Sequence, residues 1–277
     1  MLTKIFGPII NRSPLLKRTL WRRWYEFTAS RYKQDDWTFM NYGYADAIDA
    51  KTGKQPPLLA LGSEEEPDRC SIQLYHQVAG DIDLRGKVIA EVGSGRGGGC
   101  SFIARNRRPQ SMIGVDFSDA AVDFSVKRHN IPNLSFKQGD AESLPFPDAT
   151  FDAILNVESS HCYGSMERFL SEVYRALKPG GYFLWTDMRP QGERELVRAQ
   201  FKSAGFEMRQ ETNITPNVVL ALDQVKDKKQ ATISRYVPKY LMPTFEDFAG
   251  VPGTRVYESL KRGDVEYWRC ALQKPLS

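Results

Sequence analysis

The chain has 277 residues, 41% apolar and 26% charged, with a formal net charge of +4. These values exclude a disordered chain and a bundle of membrane helices, since no apolar run nears the roughly 20 residues of a span, and the small net charge leaves no footprint for nucleic acid. Four cysteines, Cys70, Cys100, Cys162 and Cys270, form no CxxC pair, so neither a disulfide framework nor a zinc site is expected and the thiols are read as reduced.

In chain order, the start "MLTKIFGPIINRSPLLKR" lacks a continuous apolar stretch and a small-residue cleavage site, which predicts a cytoplasmic protein. Residues 1–34 carry eight basic side chains against Glu26 alone, or +7, so the remainder is slightly acidic. Within them Ser13 as N-cap, Pro14 at the first helical position and Leu16, Leu20, Trp24 and Phe27 at helical spacing predict an amphipathic helix. It either packs on the main domain with its basic face in water, or lies on anionic lipid or over an apolar substrate. The aromatic stretch "DDWTFMNYGYADAIDA" and the Pro/Gly-rich "KTGKQPPLLALGSEEEP" read as loop, and "DRCSIQLYHQVAGDI" as a helix.

From "KVIAEV" onward, apolar strands alternate with helices: "SMIGVDF", "LSFKQGD", "FDAILNVES" and "GGYFLWTDM" are the next strands. This predicts an α/β fold, a doubly wound, mostly parallel sheet covered on both faces. "FEMRQETNIT" and "DVEYWRCALQK" read as terminal strands, the latter an antiparallel edge, with helices between them around Pro238 and Pro243. The expected organisation is a helical cap and aromatic lid over 1–76 and a core over 77–277. Within the core, the 215–262 insertion contributes to a substrate pocket.

"EVGSGRGGG" follows the first core strand. Bare glycine backbone at the carboxyl end of a strand, followed by the free N–H groups of a helix, predicts a nucleotide-like cofactor. Gly93, Gly95 and Gly98 satisfy the GxGxxG spacing of dinucleotide sites, and Asp116 ends the second strand, so an NAD(P)-dependent oxidoreductase is one reading. Three features favour another: Glu91, two residues before Gly93, would repel a pyrophosphate and welcome a cation; Asp140 and Glu142 follow the third strand; and "RALKPGGYF" couples a turn to a strand.

In that order these motifs, from Glu91 through Phe183, resemble class I S-adenosylmethionine-dependent methyltransferases, with a seven-stranded Rossmann-like sheet. The resemblance implies S-adenosylmethionine as cofactor, with Glu91, Gly93, Ser94, Gly95 and Gly97 as its methionine-side loop. It also implies Asp116 at the ribose, Asp140 and Ala141 at the adenine edge, Asn156 near the methionine moiety, and Phe117 and Glu142 among the other cofactor-binding residues. "FMNYGYA", "LYHQVA", "RGGG", "LNVESSHCY" and "DMRP" further resemble the phthiotriolone dimycocerosate and fatty acid methyltransferases and the bacterial enzymes that tailor polyketide or peptide hydroxyls, including the microcystin pathway type.

An alcohol acceptor must lose a proton, and histidine suits that near neutrality. His161, after the fourth strand, is expected to be the general base, and the resemblance makes Tyr25 a second catalytic residue. Tyr42, Tyr44, Tyr75 and His76 are candidates for lining the acceptor pocket. Asp187 either orients a base or touches the acceptor, or else is a structural partner of Arg189. His129, ending a helix, is expected to be solvated. No residue set has metal-ligand spacing, so no metal is expected.

The expected activity is O-methylation of a bulky apolar polyketide, peptide-polyketide or lipid acceptor, free or carrier-bound, with weak membrane-surface contact through the basic N-terminal helix. Carbon or carboxyl methylation, and a catalytically silent binding module, are the other readings.

Overall fold

A computed structural model describes residues 37–48 and 56–276. The helix expected over residues 13–33 therefore lies outside the described residues, as does Tyr25. The core is one seven-stranded sheet in the order β3-β2-β1-β4-β5-β7-β6. Its strands are β1 (Val88–Val92), β2 (Ser111–Asp116), β3 (Leu134–Gln138), β4 (Phe151–Val157), β5 (Leu177–Pro190), β6 (Glu207–Asn213) and β7 (Val265–Gln273). β1 pairs in parallel with both β2 and β4, β5 continues the parallel run beside β4, and β7 inserts antiparallel between β5 and β6. The mostly parallel sheet is as expected, but β7 is not the edge strand that its alternation suggests: it pairs on both sides, and β6 is the outer strand.

Strand alternation sorts the apolar residues onto two faces. Ile89, Ala153, Leu155 and Leu184 pack with helices α1 (Arg69–Val78) and α2 (Gly98–Asn106), through residues such as Leu74 and Phe102. Ala90, Ile154, Phe183 and Trp185 face α4 (Met166–Ala176) and α5 (Arg194–Ser203), through Phe169 and Phe201. Helix α3 (Asp119–Arg128) links β2 to β3 and starts on Ser118, whose hydroxyl accepts from the Ala121 N–H at 3.3 Å. The insertion before β7 folds as α6 (Thr215–Gln224), α7 (Lys226–Tyr236), α8 (Met242–Phe248) and α9 (Arg255–Arg262). The break between α7 and α8 spans Pro238, as the sequence suggests, because proline cannot continue the i to i−4 ladder.

The chain winds outward from β1 to β3 and then crosses back to β4. The carboxyl ends of β1 and β4 therefore meet where strand order reverses, which is where doubly wound sheets open a ligand cleft. Segment 37–45 lies across this edge, tied down by the Tyr44 N–H donating to the Cys70 carbonyl at 2.9 Å and the Ala45 N–H to the Asn217 carbonyl at 3.1 Å.

Gly99, in the first turn of α2, meets the Tyr75 ring so closely that any Cβ there would overlap it. Gly99→Ala should cost about 1–3 kcal/mol of unfolding free energy by overpacking. Gly192→Ala, where a Cβ meets nothing within 4 Å, should stay within about 0.5 kcal/mol of the parent. Denaturant unfolding of both variants checks this, and equal stabilities would contradict the packing.

Candidate active site

A cleft opens at the switch point, with about 1550 Å³ of empty space counted out through its open mouth.

One end is built on the β1–α2 loop. Gly95 has φ +52°, and a Cβ there would meet nothing nearer than Met40 Sδ at 3.9 Å, so its bareness opens space in the cleft. Asp116 ends β2 with both carboxylate oxygens oriented by main chain: Oδ2 accepts from the Gly95 N–H at 2.8 Å and Oδ1 from the Ser118 N–H at 2.9 Å. Burial raises its pKa, and those N–H groups restrain the rise by favouring the anion. Gly93, Ser94, Phe117, Asp140, Ala141 and Glu142 complete this end. Glu142 also receives the Gly164 and Ser165 N–H groups at 2.8 and 3.1 Å, bracing the turn into α4.

The other end is built on the turn after β4. Ser160–Cys162 forms a single 3-10 turn over the buried carboxylate of Asp187. Oδ2 of Asp187 accepts from Ser160 Oγ at 2.7 Å and the His161 N–H at 2.9 Å, while Oδ1 lies 2.7 Å from His161 Nδ1. Arg189 sits 3.0 Å from the same carboxylate and donates to Ser160 Oγ at 2.8 Å, as Trp185 Nε1 does at 2.9 Å. Burial opposes charge on the imidazole, but the Cys162 sulfur and the Asp187 carboxylate outweigh it and hold the pKa well above the usual histidine value. Asp187 is held correspondingly low: burial alone would raise it, and His161 and Arg189 reverse that.

Several expected residues stand elsewhere. Glu91 does not line the cleft. Period-two alternation puts it on the Ile89 face, beneath the loop, where its carboxylate is fully buried and accepts from Tyr75 Oη at 2.6 Å and Cys100 Sγ at 2.9 Å. Gly97 is the N-cap of α2 and backs onto Phe136 and His129. Asn156 is buried behind the cleft, donating to the Val92 carbonyl at 2.8 Å and to Tyr163 Oη at 3.0 Å.

Of the acceptor-side candidates, Tyr42, Tyr75 and His161 line the cleft. Asp187 lies behind His161, where it both orients the ring and pairs with Arg189. Tyr44 lies outside the lining, its pKa pushed up to about 12 by burial and by Asp46. His76 packs on Arg107, Nδ1 to Nη2 at 3.1 Å, away from the cleft. His129 is half-buried rather than solvated, its Nε2 is 2.9 Å from the Arg96 carbonyl, and burial lowers its pKa.

Sequence reasoning missed Glu158. This non-glycine residue has φ +51° beside His161, and its Oε2 accepts from the Tyr42 N–H at 2.7 Å and Tyr267 Oη at 2.9 Å. Burial raises its pKa to about 7. A carboxylate just past a parallel strand in "NVESSH" was the available signal.

The glycine-loop end fits a polar ligand with hydroxyl groups. Ser94 Oγ, on the lining, is buried with no hydrogen-bond partner among the described residues, and Asp116 offers fixed acceptor oxygens to ribose hydroxyls. Among the described residues no cluster of His, Cys, Asp or Glu could hold a metal ion, and no helix is long and apolar enough to cross a membrane.

Residues 90–185 match the family model described as a methyltransferase domain. A fatty-acid O-methyltransferase of Mycolicibacterium smegmatis is 40% identical over 252 residues, covering 91% of this chain and 88% of the relative. A phthiotriol/phenolphthiotriol dimycocerosates methyltransferase of Mycobacterium tuberculosis is 37% identical over 251 residues, covering 90% of each. Among solved structures, geranyl diphosphate C-methyltransferase from Streptomyces coelicolor, in complex with Mg2+, geranyl diphosphate and S-adenosyl-L-homocysteine, superposes with a TM-score of 0.65 at 18% identity, covering 90% of this chain and 98% of that one.

Burial lifts the Glu91 pKa from 4.5 to about 7, against the hydrogen bonds from Cys100 and Tyr75. The folded chain thus keeps a proton that the unfolded chain releases in that window, and stability is lost as pH rises through it. Between about pH 5 and about pH 8, wild type should lose on the order of 2 kcal/mol relative to Glu91→Gln. Denaturant melts at both values test this, and a constant difference would contradict it.

Proposed function

The chain belongs to the S-adenosylmethionine-dependent methyltransferases, alongside the fatty-acid and phthiotriol enzymes, and from that premise we propose that it methylates a hydroxyl of a bulky apolar lipid, polyketide or peptide-polyketide. The observation that carries this reading is His161, fixed by Asp187 on the side of the cleft facing the glycine loop and Asp116.

S-adenosylmethionine, when bound, supplies a methyl group activated by a sulfonium, so displacement requires alignment more than activation. Residues 93–95 would cradle the methionine part, Asp116 would accept from the ribose hydroxyls, and Asp140 with Ala141 would meet the adenine. Tyr42 and Met188 wall the acceptor side. With Nδ1–H donated to Asp187, Nε2 of His161 is the nitrogen that takes the acceptor proton, and Asp187 stabilises the imidazolium that results. A raised histidine pKa means that the neutral, base-competent fraction grows with pH, so turnover should climb as pH rises above neutrality. Glu158, one residue beyond β4, is a second acceptor for a hydroxyl in the same compartment. Carrier-bound presentation and weak lipid contact through basic residues 1–34 belong to this proposal.

A carboxyl acceptor is a second reading, favoured by the name of the M. smegmatis relative, and it would need no base. Calorimetry should give one S-adenosylhomocysteine per chain and no NAD(P). Asp116→Asn should weaken S-adenosylhomocysteine at least about tenfold, a charge-assisted hydrogen bond being about 1.5–3 kcal/mol. His161→Ala should cost roughly 10²–10⁴ in turnover on a hydroxyl acceptor while leaving S-adenosylhomocysteine affinity unchanged. Full activity of that variant would defeat the base assignment and favour carboxyl methylation.

A further inference from the structure

Behind the strip 37–42 lies a second cavity of about 1180 Å³ with its opening. It shares Trp37, Phe39, Met40, Asn41, Tyr42 and Phe248 with the methyl-transfer cleft, so the two cavities adjoin along these side chains. Its far wall is the inner side of α7 and α8, where Val225, Ile233, Val237, Phe245 and Ala249 present hydrocarbon.

The two lysines and the threonine on that wall each already have a partner. Lys228 Nζ donates to Asp68 Oδ1 at 2.8 Å, Lys229 Nζ to the Ala249 carbonyl at 2.7 Å and Thr232 Oγ1 to the Lys228 carbonyl at 2.9 Å. Tyr42, one of the shared residues, donates its hydroxyl to the Phe248 carbonyl at 2.9 Å. Asn41 differs: its Nδ2 reaches the Ser71 carbonyl only at 3.5 Å, and its Oδ1 is buried with no hydrogen-bond partner among the described residues. A ligand passing between the two cavities meets one unused acceptor at the junction and beyond it a surface that rewards dispersion contact and penalises unpaired polar groups.

We infer that the second cavity binds the unsubstituted hydrocarbon chain of the acceptor, which enters from the methyl-transfer cleft past Asn41, whose Oδ1 accepts a hydrogen bond from the polar head. The inference rests on the lipid-acceptor reading above and assigns the chain-length specificity of the enzyme to α7 and α8, remote from the reacting atoms. Thr232 and Ala249 are the small residues that keep the cavity open.

The test uses the full chain saturated with S-adenosylhomocysteine and titrated with cis-parinaryl alcohol, an unbranched polyene alcohol whose fluorescence rises in apolar surroundings. Saturable binding of one probe per chain is expected. Thr232→Phe and Ala249→Leu, which fill the cavity from α7 and from α8, should each raise the Kd at least tenfold while leaving S-adenosylhomocysteine affinity and the melting temperature unchanged. Two variants on separate helices guard against one misfolding. Unchanged probe affinity in both folded variants would overturn the assignment. Wild type that binds S-adenosylhomocysteine but not the probe would overturn it too, leaving methyl transfer intact. Failure to bind S-adenosylhomocysteine would strike the premise itself.

Discussion

The His161 side of the cleft depends on one buried carboxylate. Asp187, near the carboxyl end of β5, has no solvent exposure, and an isolated charge there would cost several kcal/mol. It is compensated by the imidazole of His161, the guanidinium of Arg189, the hydroxyl of Ser160 and the N–H groups of His161 and Met188. Those partners come from the β4 turn and from β5 itself. Satisfying the charge therefore fixes the turn, and fixing the turn sets the face of His161 that meets the cleft. Replacing one partner would leave charge unpaired, and Glu158, two residues before this turn, holds φ +51° without being glycine.

The glycine-loop side is governed by main chain rather than by ions. The reversal of strand order opens the sheet edge, glycine leaves the backbone bare, and two N–H groups orient Asp116 before any ligand arrives. Beneath the loop, Tyr75, Cys100 and Glu91 form a hydrogen-bonded plug that supports it from below. The two sides differ in kind but meet across one cleft, with segment 37–42 as the roof of both this space and its neighbour.

Most of the fold was legible because parallel strands buried on both faces leave long apolar runs, and glycine and proline punctuate them. Asp116 and His161 were legible for a related reason: each directly follows or ends such a run, where a doubly wound sheet presents ligands. Glu91 was misplaced for want of one step, since counting alternation from Ile89 puts it under the loop. Its argument against a pyrophosphate loses force there, and the family relationship settles the cofactor instead. Asp187 and Glu158 take their meaning from pairings across the sheet, with Arg189, Tyr42 and Tyr267, that no linear spacing encodes. The unpartnered oxygen of Asn41 is likewise a property of packing between segments distant in sequence.

The claim that Asp187 sets the state of His161 is most directly tested by a ¹⁵N NMR titration of the His161 ring in wild type and in Asp187→Asn. The account predicts a ring protonated on Nδ1 when neutral, with a wild-type pKa above the ordinary value of about 6.5 that falls when the carboxylate is removed. A wild-type pKa at or below that value, unmoved by Asp187→Asn, would contradict it.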